Sequence, residues 1–175
     1  VLARVWLGAT DVPPLTHTFS LVTLGEEIWI ADAGFGGSYT PPMPLIAGTE
    51  VSAPDGATFR LEQNDAHGWM LLRDGDPATT DGRGTGVPVH ATDLALSNHW
   101  TSTAPQSRFR QVGVVSIVLP NGLASLTDAR YRRRAGGEET QAIITDPRVY
   151  RMRLSMMFGI TLSAEDVAAL GVVAA

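Results

Sequence analysis

Strand signals dominate the first two thirds of the chain: short runs of apolar and β-branched residues broken by polar turns. Val1, Leu2, Val5, Trp6 and Leu7 open the sequence as one such run. Phe19–Thr23 and Ile28–Ala33 predict a strand pair, and Thr58–Leu61 and Trp69–Arg73 another across the polar loop "EQNDAHG". Gln111–Leu119 and Leu123–Leu126 flank "PNG", where Asn121-Gly122 predicts a tight hairpin turn built on positive φ angles. Two Pro/Gly-rich connectors intervene, "TPPMPLIAGTE" (40–50) and "RDGDPATTDGRGTGVP" (73–88). The second is expected to be a mobile surface loop. No internal repeat is visible.

Toward the C-terminus the pattern becomes helical. Asp146-Pro147 reads as N-cap and first helical residue of a helix through about Phe158, ended by Gly159. Ser163 and Asp166 form a capping box for a short helix that stops at Gly171. The expected plan is a small β-barrel or curled sheet followed by strands with helices packed on them, an α+β arrangement.

Composition narrows the function classes. The 175 residues carry a net charge of −5 and are 44% hydrophobic, enough chain to bury a core and too acidic for a general nucleic-acid or membrane-surface role. No apolar run approaches the ~20 residues of a membrane span, and no signal-peptide pattern opens the chain, so a cytoplasmic location is expected. All 13 basic residues are arginine, which points to a G+C-rich bacterial genome. The sequence begins at a valine inside a strand-like run and is expected to be cut from something longer. It contains no cysteine, hence no disulfide, thiolate metal site or thiol nucleophile of its own.

Within "THTFSLVTLGEEIWIADAGFGGSY" (16–39), His17 and Asp32 interrupt otherwise apolar strand faces. If Leu24-Gly25 form the turn, His17 lies directly opposite Asp32. If Gly25-Glu26 do, Asp32 opposes Phe19 and His17 is its diagonal neighbour. Either register brings the two within roughly 5–8 Å between Cβ atoms. A carboxylate among Phe, Leu and Ile needs a partner. Two readings follow: a structural His–Asp hydrogen bond in a barrel core, or the orienting half of a nucleophile–His–Asp triad. Gly34, Gly36 and Gly37 allow close backbone approach and leave N–H groups open to an anion, although no helix start follows as dinucleotide and Walker loops require.

These residues resemble the arylamine N-acetyltransferase family. There a "TH" strand supplies a catalytic histidine, and a D-[VA]-G-F-G segment supplies an aspartate 15 residues later, the spacing of His17 and Asp32. "NHWTSTAPQSRFRQ" (98–111), "LPNGLASLTD" (119–128), "MMFGITLSAEDVAAL" (156–170) and "LARV" (2–5) are similar to further family segments, whereas 73–96 departs from the pattern. The resemblance implies an antiparallel β-barrel (1–95) followed by an α/β lid (96–175) of a cysteine-proteinase-like fold. It implies a missing N-terminal helical domain that carries the catalytic cysteine. The implied reaction is ping-pong acetyl transfer from acetyl-CoA, with no metal, to an arylamine, N-hydroxyarylamine or hydrazine. His17 is then the base and Asp32 its orienter. By the same resemblance Phe35 lines the aryl pocket with Tyr39 near its mouth. Gly34, Gly36, Gly37, Thr103 and Ser107 would lie near the pantetheine and phosphates of CoA.

Other features read blandly. His67, His90 and His99 lack metal-ligand spacing and are expected at the surface, in or near loops. Arg130, Arg132, Arg133 and Arg134 read as a solvated strand end, with a phosphate clamp as the alternative. Trp6, Trp29, Trp69 and Trp100 suit the core or barrel surface, and Met152, Met156 and Met157 a packed helix face. Two competing functions stand beside the transferase: a non-catalytic acyl-CoA or aryl-ligand binding module, and a transglutaminase- or protease-like cysteine hydrolase. The latter is disfavoured by "DAGFGG" and the S-T-x-P segment.

Overall fold

The computed structural model describes residues 1–6, 8–35, 40–65, 67–80 and 88–173. The chain divides into two compact units, one of Val1–Phe35, 40–53 and Ala57–Ser107, the other of Pro54–Gly56 and Arg108 onward.

The first unit is built on two antiparallel sheets. One has six strands in the order β2-β1-β9-β8-β7-β6: β1 (Leu2–Val5), β2 (Leu15–Thr18), β6 (Glu50–Ser52), β7 (Thr58–Asn64), β8 (Gly68–Arg73) and β9 (Asp76–Thr80). The other joins β3 (Ser20–Leu24), β4 (Glu27–Ala31) and β5 (Met43–Pro44). β2 and β6 are the two edges of the larger sheet, and no pairing between them closes a barrel among the described residues. The core of the unit is Ile30, Met43, Phe59, Leu61 and Leu71, with Phe19, Leu21 and Trp69 packed on it. Among the described residues one helix, α1 (Ala91–Thr103), completes the unit.

The connector at 73–88 is not a surface loop in its first half. Asp76–Thr80 is β9, hydrogen-bonded on both sides, and Ala78, Thr79 and Thr80 are buried. Asp74 and Gly75, both with positive φ (53° and 89°), make the tight turn from β8 into β9. Burial of the Thr80 hydroxyl is tolerable because it has a partner: Trp6 Nε1 donates to Thr80 Oγ1 at 2.9 Å.

The second unit is a four-stranded antiparallel meander, β10 (Val114–Leu119), β11 (Gly122–Thr127), β12 (Arg130–Ala135) and β13 (Glu138–Ile143), with α2 (Arg108–Gln111), α3 (Pro147–Phe158) and α4 (Ala164–Leu170). Leu126, Tyr131, Tyr150, Leu154 and Val167 form its core. Both helix starts match their sequence signals. Asp146 accepts from the Arg148 and Val149 amides at 2.7 and 3.3 Å, and Ser163 and Asp166 cap each other at 2.8 and 3.0 Å. Gly159 and Gly171 end the two helices in the left-handed conformation.

Three expectations are corrected in this unit. The turn between β10 and β11 is Pro120-Asn121, because Leu119 pairs with Gly122, and Asn121 does not take a positive φ. Glycine is needed at 122 for closeness: a Cβ there would lie 1.9 Å from the Arg134 carbonyl oxygen. The arginine run is not a strand end but the body of an interior strand, β12, paired on both sides, while Arg130, Arg132 and Arg133 are exposed as the solvated reading expected. Arg132 pairs with Glu139, and Arg134 Nη1 lies 3.6 Å from the buried Asp55 carboxylate. The methionines are not a packed face: Met152 and Met156 are 54% and 81% exposed, and only Met157 packs toward the core, beside Tyr150 and Leu154.

Candidate active site

His17 and Asp32 come together where the chain passes from one sheet to the other. β2 pairs with β1, Leu2 opposite Thr18 and Ala3 opposite His17. Phe19 still exchanges backbone hydrogen bonds with Val1, but Ser20 already pairs with Ala31 in the second sheet. Leu24 pairs with Glu27, so Gly25-Glu26 is the turn and Asp32 falls level with Phe19, one residue beyond β4. His17 is therefore the diagonal neighbour of Asp32, the second of the two registers compatible with the sequence.

The side chains meet directly. His17 Nε2 lies 2.7 Å from Asp32 Oδ2, with side-chain exposures of 11% and 2%. A carboxylate only accepts, so the ring nitrogen facing it carries the proton. In the neutral imidazole Nδ1 is then the free acceptor. The Gly34 amide donates to the other carboxylate oxygen, Oδ1, at 3.2 Å. The imidazole is also held by aromatic rings. Phe35 meets it edge-on with centroids 5.1 Å apart, and Phe19 lies tilted at 6.4 Å. Behind Asp32 an apolar cavity is lined by Phe19, Ile30, Leu61, Trp69 and Leu71. Against such walls an unpaired carboxylate is costly, so the two hydrogen bonds are what keep it in place. The arrangement presents a fixed, single-tautomer imidazole able to take a proton at Nδ1.

Of the other residues singled out in the sequence, Phe35 and Gly34 are at this site. The Gly34 amide is engaged by Asp32, and a Cβ at 34 would make only ordinary contacts, 3.9 Å from His17 Cε1. Gly36, Gly37 and Tyr39 lie outside the described residues. Thr103 is the last residue of α1, its hydroxyl donating to the His99 carbonyl at 2.6 Å. Ser107, 1% exposed, follows in the next turn with its hydroxyl donating to the Thr101 carbonyl. His99 sits inside α1 and His90 at its N-terminus, while the His67 ring stands edge-on to Trp6. No cluster of three His, Asp or Glu side chains fit to hold a metal occurs among the described residues. Likewise no described helix is long and apolar enough to cross a membrane.

Three contributors escaped the sequence. Phe19 was legible only as an apolar strand residue, and nothing marked its contact with the histidine ring. Ser97 of α1, bonded to the Leu15 carbonyl of β2, and an irregularity of β2 at Thr16 left no compositional trace.

The profile of a family described as N-acetyltransferase matches residues 1–167. The chain belongs to the arylamine N-acetyltransferase family. It is 34% identical over 125 residues to the arylamine N-acetyltransferase of Escherichia coli K12, covering 70% of this chain and 44% of that protein. It is 30% identical over 173 residues to the arylamine N-acetyltransferase / N-hydroxyarylamine O-acetyltransferase of Salmonella typhimurium LT2, covering 91% of this chain and 58% of the relative. The chain thus spans about half the length of these curated family members. Its fold is similar to the solved arylamine N-acetyltransferase from Salmonella typhimurium, with a TM-score of 0.86 at 28% identity over 97% of this chain and 65% of that one. The family member from Mycobacterium marinum, solved in complex with CoA, gives 0.79 at 25% identity over 98% and 64%.

Proposed function

We propose that this chain supplies the base and its orienter for acetyl transfer from acetyl-CoA to an arylamine, N-hydroxyarylamine or hydrazine. The observation that carries the reading is the 2.7 Å contact between His17 Nε2 and Asp32 Oδ2, which leaves Nδ1 as a proton acceptor. Relatives that act on arylamines and N-hydroxyarylamines support the acceptor class, and the relative solved with CoA supports the donor.

The steps balance with a sulfur nucleophile. These 175 residues hold no cysteine, so the thiol belongs to protein outside them. His17 Nδ1 takes the thiol proton, giving a thiolate–imidazolium pair that Asp32 stabilises without itself being protonated. The thiolate attacks the acetyl thioester. A new S–C bond forms, the bond to the CoA sulfur breaks, and His17 returns its proton to the departing CoA thiolate. The acceptor then attacks the acetyl-enzyme as His17 takes its proton: the bond from the acceptor to the acetyl carbon forms, the enzyme S–C bond breaks, and the proton passes to the departing thiolate to regenerate the thiol. Phe35 and Tyr39 are assigned to the aryl acceptor, and Gly36 and Gly37 to acetyl-CoA. Gly34, Thr103 and Ser107 contribute shape there, since their donors are already used within the protein. We assign the unit that runs through Ser107 to the barrel portion and Arg108 onward to the lid of the family architecture, since the expected boundary after residue 95 would cut α1.

The test is acetyl transfer by the protein that includes its thiol, compared with His17→Gln and Asp32→Asn, with mass spectrometry for the acetyl-enzyme. Full activity in either variant would remove the assignment. A second reading, a binding module without chemistry, is favoured by the lack of cysteine. It predicts that no acetyl-enzyme forms in the longest natural form of the protein.

A further inference from the structure

The geometry points to Ser97 as a positioning residue for His17, acting through the backbone of β2. β2 is an edge strand, so its outer carbonyls have no partner strand. The Ser97 hydroxyl donates to one of them, the Leu15 carbonyl, at 2.8 Å. Ser97 is also the one buried residue of α1 among those described, 9% exposed. Of the large apolar side chains of α1, Leu94 and Leu96 are 43% and 70% exposed and Trp100 is half-buried. Against this unit the helix is therefore fastened to β2 by a specific polar contact more than by a greasy face.

The fastening falls where β2 is irregular. Ala3 pairs with His17, but Arg4 pairs with Leu15, so Thr16 is an extra residue with no counterpart on β1. Such a bulge turns the side chain that follows it, and its loose backbone needs holding. Here Ser97 fixes the carbonyl on one side of Thr16, and the His17–Ala3 pair fixes the other. The aim of the imidazole at Asp32 then depends on a hydroxyl 82 residues away in sequence. The catalytic part of this inference rests on the function proposed above, while the positioning of the ring does not.

The test compares Ser97→Ala, Ser97→Thr and Ser97→Cys in the protein that includes its thiol, reading the His17 ring resonances by NMR, the melting temperature, and kcat and KM. The His17 resonances are identified by their loss in His17→Gln. Ser97→Ala is expected to move them and to lower kcat roughly 10- to 100-fold with KM for the acceptor unchanged. Ser97→Thr, which keeps the hydroxyl, restores both. Should Ser97→Ala fail to fold, Ser97→Cys keeps the bulk with a weak donor and moves the same resonances by less. Resonances unmoved in the folded Ala or Cys variant overturn the proposal. So does a Thr variant that melts like the parent but restores neither readout. Moved resonances with unchanged kcat leave the positioning intact and count against the catalytic role of His17.

Discussion

His17 and Asp32 share a 2.7 Å hydrogen bond although their strands belong to different sheets. The contact exists because Phe19 is a corner, bonded to Val1 on one side and followed at once by pairing of Ser20 to Ala31. A change at Asp32 is therefore felt by a ring fixed from another layer. Asp32→Asn keeps the volume but leaves one acceptor oxygen for two donors, the Gly34 amide and His17 Nε2–H, and removes the charge that stabilises an imidazolium. In the thiol-containing protein, kcat/KM is expected to fall by about 100-fold or more, within the range of a lost acid–base function. Thermal melting should move little. An Asn variant within a few-fold of the parent would show that the carboxylate is structural.

Phe35 and His17 meet edge-to-face at 5.1 Å. Such pairs carry about 0.5–1.5 kcal/mol beyond simple burial. A double-mutant cycle with Phe35→Leu and His17→Gln, followed by urea unfolding, is expected to return a coupling energy in that range. A coupling near zero would mean that Phe35 does not hold the ring, leaving Asp32 and Phe19.

The legible parts of this molecule are those where one local rule decides. Asp146 before Pro147, and Ser163 three residues before Asp166, satisfy helix amides within their own turn, so their sequence and their geometry coincide. The pairing of Ile28–Ala31 with the strand before it followed from apolar alternation. The illegible parts are those where distant residues decide. Thr79 and Thr80 look like loop residues until their neighbours β1 and β8 surround them. α1 has no apolar stripe to betray it, because the residue it buries is a serine. At the site, alternation allowed two registers, and choosing between them took the turn at Gly25-Glu26. The bulge at Thr16 depends on strand pairing and has no side-chain signature.

Gly122 is the glycine whose replacement the backbone forbids most directly. An added Cβ would sit 1.9 Å from the Arg134 carbonyl oxygen and 2.9 Å from Ala135 Cα, both main-chain atoms of the neighbouring strand. Neither can move without opening the β11–β12 ladder. Gly122→Ala is expected to cost about 3 kcal/mol or more in denaturant unfolding, at the severe end for single substitutions. Gly34→Ala is the control, since its Cβ finds only 3.9 and 4.0 Å contacts. Equal losses for the two would contradict the close approach at 122.

Acid should unfasten α4 through one carboxyl. The Ser163 amide, and after it the Ser163 hydroxyl, bond the charged form of Asp166 and hold its pKa below the ordinary aspartate value, with a smaller contribution from Arg151. A carboxyl depressed in the folded state stabilises that state above its unfolded pKa, and the contribution disappears as pH falls through the folded value. Asp166→Ala is therefore expected to be less stable than the parent at neutral pH. The difference should hold down to the ordinary aspartate range, then shrink, and vanish once the parent carboxyl is protonated. The gap for Ser163→Ala should narrow only in part, because it removes one of the bonds that depress the pKa but also the non-titrating bond from the Asp166 amide to the Ser163 hydroxyl. Thermal melts of the three proteins between neutral and strongly acidic pH read the effect. A gap for Asp166→Ala that stays constant down to strong acid would mean that the side chain acts by packing and not through its charge.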